Sequence, residues 1–88
     1  MRHSVTRNQL RHAFADTVRI LRARTGISQE KLALKAGMDR VYLGALEREK
    51  HTPTLESIYR LLPILDVTFT QFASEFERML SSRKSPHA

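Results

Sequence analysis

Arginine is the side chain of this sequence best suited to recognising a charged or polar partner, because its planar guanidinium donates parallel hydrogen bonds to paired acceptors. The 88 residues include 15 Lys and Arg against 9 Asp and Glu, a net charge of +6. Six arginines lie within residues 1 to 24, where Asp16 is the one acidic residue. Such a surface suits a polyanionic partner, although a basic surface that is only solvated fits the charge equally well.

Residue types and spacings that would indicate catalysis or metal binding are not found. No cysteine is present, which excludes disulfides, zinc sites with Cys ligands and thiol catalysis. The histidines lack metal-ligand spacing and a nearby set of carboxylates, so surface positions are expected for all four: His3, His12, His51 and His87. Ser, His and Asp occur without a nucleophile elbow or an oxyanion loop. We therefore expect a protein that is not an enzyme and binds no metal or other cofactor.

The stretch from Gln29 to Arg48 predicts two short helices joined by a tight turn. The first helix has a small apolar face, formed by Leu32, Ala33 and Ala36. The second has a larger one, formed by Leu43 and Leu46. Gly37 lies between them and can adopt positive φ without a Cβ penalty. This is the geometry of a helix-turn-helix. It leaves one face of the second helix free to enter the major groove of DNA, which is about 12 Å wide.

The rest of the chain predicts further helices and no strand, so the fold class is all-α. Residues 1–7 form a basic N-terminal arm, and the first helix runs from about Asn8 to Arg24 before a stop at Gly26. Ser28, Asp39 and Thr54 are expected to cap the second, third and fourth helices.

The last two helices carry one irregular feature each. Pro63 would leave the carbonyl of Tyr59 without its partner, so a kink or an early end of the fourth helix is expected near Leu62. The fifth helix, about residues 68–80, opens with the capping-box spacing of Thr68 and Gln71. Residues 81–88 are small, polar and basic and are expected to be disordered.

Three consecutive segments carry a family resemblance: ISQEKLALKAG, DRVYLGALEREKHTP and TLESIYRLL. Together they resemble the phage repressor and Cro family of helix-turn-helix regulators, and within it the small controller proteins of restriction-modification systems and mobile elements. The resemblance covers roughly residues 14 to 72. It implies a five-helix lambda-repressor-like DNA-binding domain at residues 8–80, with the helix-turn-helix at helices 2 and 3.

The resemblance also implies which residues contact double-stranded DNA. Five residues in or next to the third helix are expected to read base edges: Arg40, Val41, Gly44, Ala45 and Arg48. Six others are expected near phosphates: Gln29, Ser28, Tyr42, Lys50, His51 and Thr52. A bidentate contact from arginine to guanine discriminates by roughly 1–3 kcal/mol, although a phosphate contact or plain solvation is open for Arg40, and a phosphate is equally open for Arg48. Tyr42 is alternatively part of the small core beneath the third helix.

The expected DNA loop departs from the family pattern in two positions. Glu49 stands where the family usually has glycine and brings a negative charge near the expected phosphates. His51 replaces a commoner basic residue, so any contact that it makes should strengthen on acidification. In the family, the residues that match Arg22 and Glu47 form a partly buried salt bridge that fixes the recognition helix.

The leading functional hypothesis is a transcriptional regulator that binds a pseudo-palindromic operator as a homodimer and controls its own gene. Its two half-sites would lie about 34 Å apart. The candidate dimer surface lies on the fifth helix and consists of Phe69, Phe72, Phe76 and Met79. Core packing is the alternative for Phe72. RNA polymerase would be a further partner of an activator.

Other functional hypotheses remain open at this stage. One is an antitoxin or adaptor whose main partner is another protein, and another is non-specific coating of nucleic acid. No apolar run approaches the length of about 20 residues that spans a membrane, and no site for a small-molecule ligand is evident. A cytoplasmic location is expected.

Overall fold

The computed structural model describes residues 4 to 84 and the side chains of residues 4 to 82. This part of the chain forms five helices and no strand, so the predicted all-α class is confirmed. The helices are α1 (Arg7–Thr25), α2 (Gln29–Lys35), α3 (Arg40–Glu47), α4 (Leu55–Leu65) and α5 (Phe69–Lys84). None of the helices described is long and apolar enough to cross a membrane.

Helix α1 is the centre of the packing. It packs along α5 and also contacts α3 and α4, while α2 packs against α3 and α4. Apolar side chains from all five helices form one core: Phe14, Val18, Leu21, Leu32, Ala33, Ala36, Leu43, Leu46, Leu61, Leu62, Leu65 and Phe72. Each large apolar side chain buried in this way stabilises the fold by about 1.5–3 kcal/mol.

Side-chain caps determine where the helices begin. The hydroxyl of Ser28 accepts a hydrogen bond from the backbone N–H of Lys31, and Asp39 Oδ1 accepts one from Val41. Thr54 caps α4, and Thr68 forms the expected capping box with Gln71. The predicted caps of α2, α3, α4 and α5 are thus confirmed, and each satisfies an N–H that has no partner within its helix.

Two glycines allow the chain to reverse around the helix-turn-helix. Gly26 ends α1 with φ 71°, and its N–H donates to the carbonyl of Arg22. Gly37 follows α2 with φ 64°, after which the N–H of Met38 donates to the carbonyl of Ala33. Residues with a Cβ rarely adopt this left-handed conformation, so both turns depend on glycine.

The predicted early end of the fourth helix near Leu62 is wrong, and so is the predicted end of the fifth helix near residue 80. Helix α4 continues through Pro63 to Leu65, because Leu61, Leu62 and Leu65 are all buried and hold the last turn against the core. The missing N–H of Pro63 falls on an exposed position close to the end of the helix. Helix α5 continues to Lys84, so the expected disordered tail does not begin at residue 81. Residues 1–3 of the expected arm and 85–88 of the tail lie outside the described residues.

Candidate functional site

The C-terminal end of α3 is fixed to α1 by a paired set of hydrogen bonds. Arg22 Nε donates to Glu47 Oε2 at 3.0 Å, and Arg22 Nη2 donates to Glu47 Oε1 at 3.1 Å. The remaining guanidinium nitrogen, Nη1, donates to the carbonyl of Ile27 at 3.1 Å. Glu47 is only 6% exposed, so the pair that the family resemblance implied lies in a partly buried site. Bidentate pairs of this kind fix orientation as well as position.

Two further contacts extend this network to α2 and the backbone of α3. Gln29 Nε2 donates to Glu47 Oε1 at 3.2 Å, and Arg19 Nη1 donates to the carbonyl of Glu47 at 2.7 Å. Arg19 thereby satisfies one of the carbonyls that a helix leaves without a partner at its C-terminus. Helices α1, α2 and α3 are joined at Glu47, and the direction of α3 follows from that junction.

The exposed face of α3 forms one side of a shallow cleft of about 220 Å³. Five predicted contact residues line it: Gln29, Arg40, Val41, Gly44 and Arg48. The structure therefore brings four of the expected base-reading residues together with the expected phosphate residue of α2. Val41 is 73% exposed, which leaves its methyl groups accessible for contact with an apolar group such as a thymine methyl.

Gly44 has a specific steric role within this cleft. A Cβ at Gly44 would lie 3.0 Å from Arg48 Nη1 and 3.7 Å from Gln29 Oε1. The guanidinium of Arg48 therefore lies close over the backbone of α3, where a larger residue at position 44 would displace it. The arrangement presents a positively charged group directly above the floor of the cleft.

Other predicted contact residues lie elsewhere. The expectation that Ala45 lies on the exposed face is wrong, because it is 8% exposed and buried together with its neighbours Leu43 and Leu46. Tyr42 packs against the core, as the alternative for it stated, and its ring centroid is 6.0 Å from that of His51. Ser28, Lys50, His51 and Thr52 are exposed, but they do not line the cleft.

The loop after α3 makes a side-chain contact with α1 that the sequence analysis missed. His12 Nδ1 lies 2.6 Å from Glu49 Oε2, and His12 Nε2 lies 3.8 Å from Asp16 Oδ2. The prediction that His12 is a surface residue without nearby carboxylates is wrong, since it is partly buried between two of them. The glutamate at an expected glycine position was a signal for an unusual backbone, and Glu49 has φ 65°. Nothing in the spacing of the sequence indicated its partner on α1.

Helix α5 is attached to α1 by a second cluster of charges. Glu75 Oε1 lies 2.6 Å from Arg78 Nη2, and Glu75 Oε2 lies 3.0 Å from Arg24 Nη2. The hydrogen bond from Arg78 has the largest effect and, with that from Arg24, holds the pKa of Glu75 below its ordinary value, against the opposing effect of burial. Among the described residues, no group of three or more His, Asp or Glu side chains could hold a metal ion.

An apolar surface lies where α4 meets α5. Leu55, Tyr59 and Phe69 are 62%, 53% and 40% exposed, and the rings of Tyr59 and Phe69 stack with centroids 5.2 Å apart. Phe69 also lines an apolar groove of about 250 Å³ between α1, α4 and α5. We call the surface of Leu55, Tyr59 and Phe69 the α4–α5 patch. Exposed apolar side chains that lie together on a surface are a candidate contact for a partner.

The predicted dimer residues on α5 differ in exposure, from the exposed Phe69 to the buried Phe72. Phe72 is 2% exposed and its ring lies 5.8 Å from that of Phe14, so the prediction that it forms an interface is wrong and the core alternative is correct. Its spacing places it on the side of α5 that packs against α1. Phe76 is partly buried against the core and Met79 is also partly exposed. Leu55 and Tyr59, which the sequence analysis did not assign to an interface, are more exposed than either.

Comparison with known proteins gives a consistent result. A family model described as helix-turn-helix matches residues 18–72. A Neisseria meningitidis protein named as a hypothetical transcription factor is 37% identical over 62 residues, which are 70% of this chain and 58% of that protein. The chain thus spans less than two thirds of the length of that relative.

Two restriction-modification controller proteins have similar solved structures. C.AhdI from Aeromonas hydrophila is 35% identical, with a TM-score of 0.66 over 70% of this chain and 94% of that one. C.Esp1396I, solved as a tetramer in complex with its natural 35 base-pair operator, is 25% identical, with a TM-score of 0.75 over 81% of this chain and 93% of that one. The resemblance to controller proteins that the sequence predicted is confirmed.

Proposed function

The chain belongs to the helix-turn-helix family, and we propose that it is a transcriptional regulator that binds double-stranded DNA in a sequence-specific manner. The observation that carries the proposal is the cleft on α3, where Arg40, Val41, Gly44 and Arg48 lie beside Gln29. Two guanidinium groups and one exposed apolar side chain on a helix face are a suitable set for reading guanine edges and thymine methyl groups. Such a protein acts without catalysis, in the cytoplasm of a prokaryotic cell.

The contacts divide into two groups with different consequences. Arg40, Val41 and Arg48 would read base edges, with Gly44 allowing close approach of α3 to the groove. Gln29, at the start of α2, would contact a phosphate through its backbone N–H, because its side chain is already bonded to Glu47. Ser28, Lys50, His51 and Thr52 would contact the DNA backbone on either side.

We also propose that two copies bind a pseudo-palindromic operator and that the operator controls the protein's own gene. The α4–α5 patch supports self-association, because a second copy related by two-fold symmetry would bury the same three side chains on both partners. One domain of this size buries too little surface for tight specific binding, so linking two recognition helices supplies the affinity. The controller protein C.Esp1396I binds its operator as a tetramer, which is consistent with assembly from such units.

A fluorescence anisotropy titration tests the proposal. The probes are the duplex immediately upstream of the protein's gene and a shuffled duplex of the same composition, at near-physiological salt. Wild type is expected to prefer the upstream duplex by at least about a hundredfold, since specific binding is typically about 10³- to 10⁷-fold tighter than non-specific binding. Arg40→Ala should lose about 1–3 kcal/mol of that discrimination.

Arg78→Ala is the matched control, since it removes the same charge from an exposed site on α5. It should keep the preference for the upstream duplex. Equal binding of wild type to both duplexes would contradict autoregulation through that DNA. Sequence-specific recognition would be contradicted if duplexes selected from a random-sequence library also bound no better than their shuffled versions.

A further inference from the structure

Glu49 occupies a backbone conformation that favours glycine. Its φ is 65°, in the left-handed region where a side chain with a Cβ is disfavoured by about 1–2 kcal/mol. The residue lies two positions after the end of α3, in the loop of residues 48–54 that leads to α4. The carboxylate that accompanies this strained backbone lies 2.6 Å from His12 Nδ1 on α1. Glycine at this position would relieve the backbone but could not make that contact.

The surroundings of His12 distinguish its two protonation states. Because a carboxylate oxygen accepts, Nδ1 must donate to Glu49, and in a neutral imidazole Nε2 would then carry a lone pair. Nε2 is buried, has no hydrogen-bond partner among the described residues, and lies 3.8 Å from Asp16 Oδ2. A proton on Nε2 converts this pair of facing acceptors into an attraction between unlike charges.

The charged groups around His12 come from its own helix and from the loop. Asp16 lies one turn further along α1, and its other oxygen, Oδ1, accepts from Arg19 Nη2 at 3.0 Å. Glu49 faces His12 from the loop. Protonated His12 would therefore stand between two carboxylates, of which Asp16 also has an arginine.

His12 acts on a loop that is already tied to α1 beside it. Arg11, the preceding residue, donates from Nε to Thr52 Oγ1 at 2.9 Å, and the N–H of Lys50 donates to the carbonyl of Ala45 at 2.8 Å. Between these attachments the loop exposes Lys50 and His51, two of the residues expected near phosphates. Unpaired, the negative charge of Glu49 would oppose that contact, whereas a proton on His12 compensates it.

We propose that His12 is a positioning residue whose protonation, acting through Glu49, sets the position and charge of the loop after α3 and thereby the affinity for DNA. The inference rests on the proposed function. Histidine is the side chain whose charge changes most readily within the pH range in which cells work. Binding of DNA would be accompanied by uptake of up to one proton at this site, and affinity falls as the pH rises.

The DNA arm of the test measures operator affinity from about pH 6 to about pH 8, using a duplex selected from a random-sequence library. Wild type is expected to bind DNA measurably more weakly at the upper end of this range than at the lower end. His12→Gln and Glu49→Gln should both flatten this profile, and the double variant should be no flatter than either single one. Asp66→Asn, an exposed carboxylate at the other positive-φ residue with a side chain, is the matched control and should keep the wild-type profile.

His51 is a second histidine beside the expected phosphates and must be separated from His12. If His51→Gln flattens the profile and His12→Gln leaves it unchanged, the proposal is overturned. An unchanged profile in Glu49→Gln would also overturn it, because the charge of His12 would then act without Glu49.

A second arm needs no DNA. In the His51→Gln background, the NMR signals of the backbone amides of Glu49 and Lys50 should shift during a pH titration with the same midpoint as the signals of the His12 ring. His12→Gln should abolish this shift. Amides that do not follow His12 would refute the coupling. If wild type selects no duplex, the proposed function fails while this arm still decides whether His12 controls the loop.

Discussion

Glu47 joins three helices, so its substitution should lower the stability of the fold, and any loss of DNA binding should follow from that. Its carboxylate accepts from Arg22 and Gln29, and its carbonyl accepts from Arg19. We expect Glu47→Ala to lower the free energy of unfolding by about 3 kcal/mol, at the lower end for a broken buried pair because the Arg22 side chain is 21% exposed. Urea denaturation followed by circular dichroism would measure the change.

The exposed pair of Glu56 and Arg60 is the control for this prediction. Their side chains are 75% and 48% exposed, so Glu56→Ala should change stability by less than about 1 kcal/mol. A double variant with Arg22→Met and Glu47→Leu should recover much of the lost stability, because no lone charge is left in the interior. Wild-type stability in Glu47→Ala would show that the network does not hold α3.

A substitution at Gly44 should change the stability of the fold and the affinity for DNA in opposite directions. Alanine is about 1 kcal/mol more favourable than glycine within a helix, and the neighbour that a new Cβ meets is the flexible end of Arg48. We therefore expect Gly44→Ala to raise the unfolding midpoint slightly while weakening operator binding, because the guanidinium of Arg48 must shift from its position in the cleft. Thermal unfolding and anisotropy on the same sample measure both quantities.

A double-mutant cycle shows whether the loss at Gly44 acts through Arg48. In an Arg48→Ala background, Gly44→Ala should cost no further affinity, since the group that it displaces is already absent. Additive losses would mean instead that the new methyl group clashes with DNA directly.

At the scale of helices, the attachment of α5 to α1 should depend on pH. The folded pKa of Glu75 lies below its ordinary value of 4.5, chiefly because Arg78 and Arg24 donate to its carboxylate. The contribution of Glu75 to the free energy of unfolding is therefore fully present above pH 4.5, and it is lost as the pH falls through the lowered pKa of the folded state. Glu75→Gln should be less stable than wild type near neutral pH, and the difference should shrink on acidification below about pH 4.5.

The unfolding midpoint measured from neutral pH into the acid range checks this sign. Glu77→Gln replaces an exposed carboxylate on the same helix and is the control. Its unfolding midpoint should differ less from that of wild type, and the difference should depend less on pH. A difference for Glu75→Gln that grows on acidification would contradict the stated role of the two arginines.

The helices could be predicted from the sequence because their signals are local. The caps at Ser28, Asp39 and Thr54 and the stop at Gly26 each act within a few residues of their own position. The prediction of an early helix end failed at Pro63, where burial of leucines on the other side of α4 outweighed the local preference of proline. Tertiary packing of this kind overrides propensity, and it cannot be seen in a window of neighbouring residues.

The candidate site was predictable in part for the same reason. The cleft residues on α3 follow from helical spacing and from the family resemblance, whereas the burial of Ala45 depends on how closely α3 packs on the rest of the fold. The contact between His12 and Glu49 joins two segments that are distant in the chain and has no counterpart in any local pattern.

At the scale of the whole molecule, the cleft on α3 and the α4–α5 patch share no residue. Variants of the patch can therefore test assembly without removing a proposed base contact. The net charge of +6 contributes attraction to DNA that does not depend on sequence and weakens with salt. Under the proposed function, discrimination between operators would come from the cleft and from the placement of two clefts on one duplex.

This separation gives a prediction about assembly. If wild type forms the proposed dimer, we expect the double variant Tyr59→Ser and Phe69→Ser to be a folded monomer, because it removes the stacked pair of the patch. Sedimentation velocity would measure the change in mass, and circular dichroism would verify that the helices remain. Operator affinity should fall by a factor of about 10² to 10⁴, the gain that linking two binding modules usually provides.

Leu34→Ser is the control for assembly, since Leu34 is 77% exposed on α2 and lies outside the patch. It should leave the dimer intact. The double variant should also bind a single half-site as well as wild type does, because both then engage one recognition helix. If the variant remains a dimer, the two-fold interface lies elsewhere on the molecule, and the partly exposed side chains of Phe76 and Met79 on α5 become the residues to replace next.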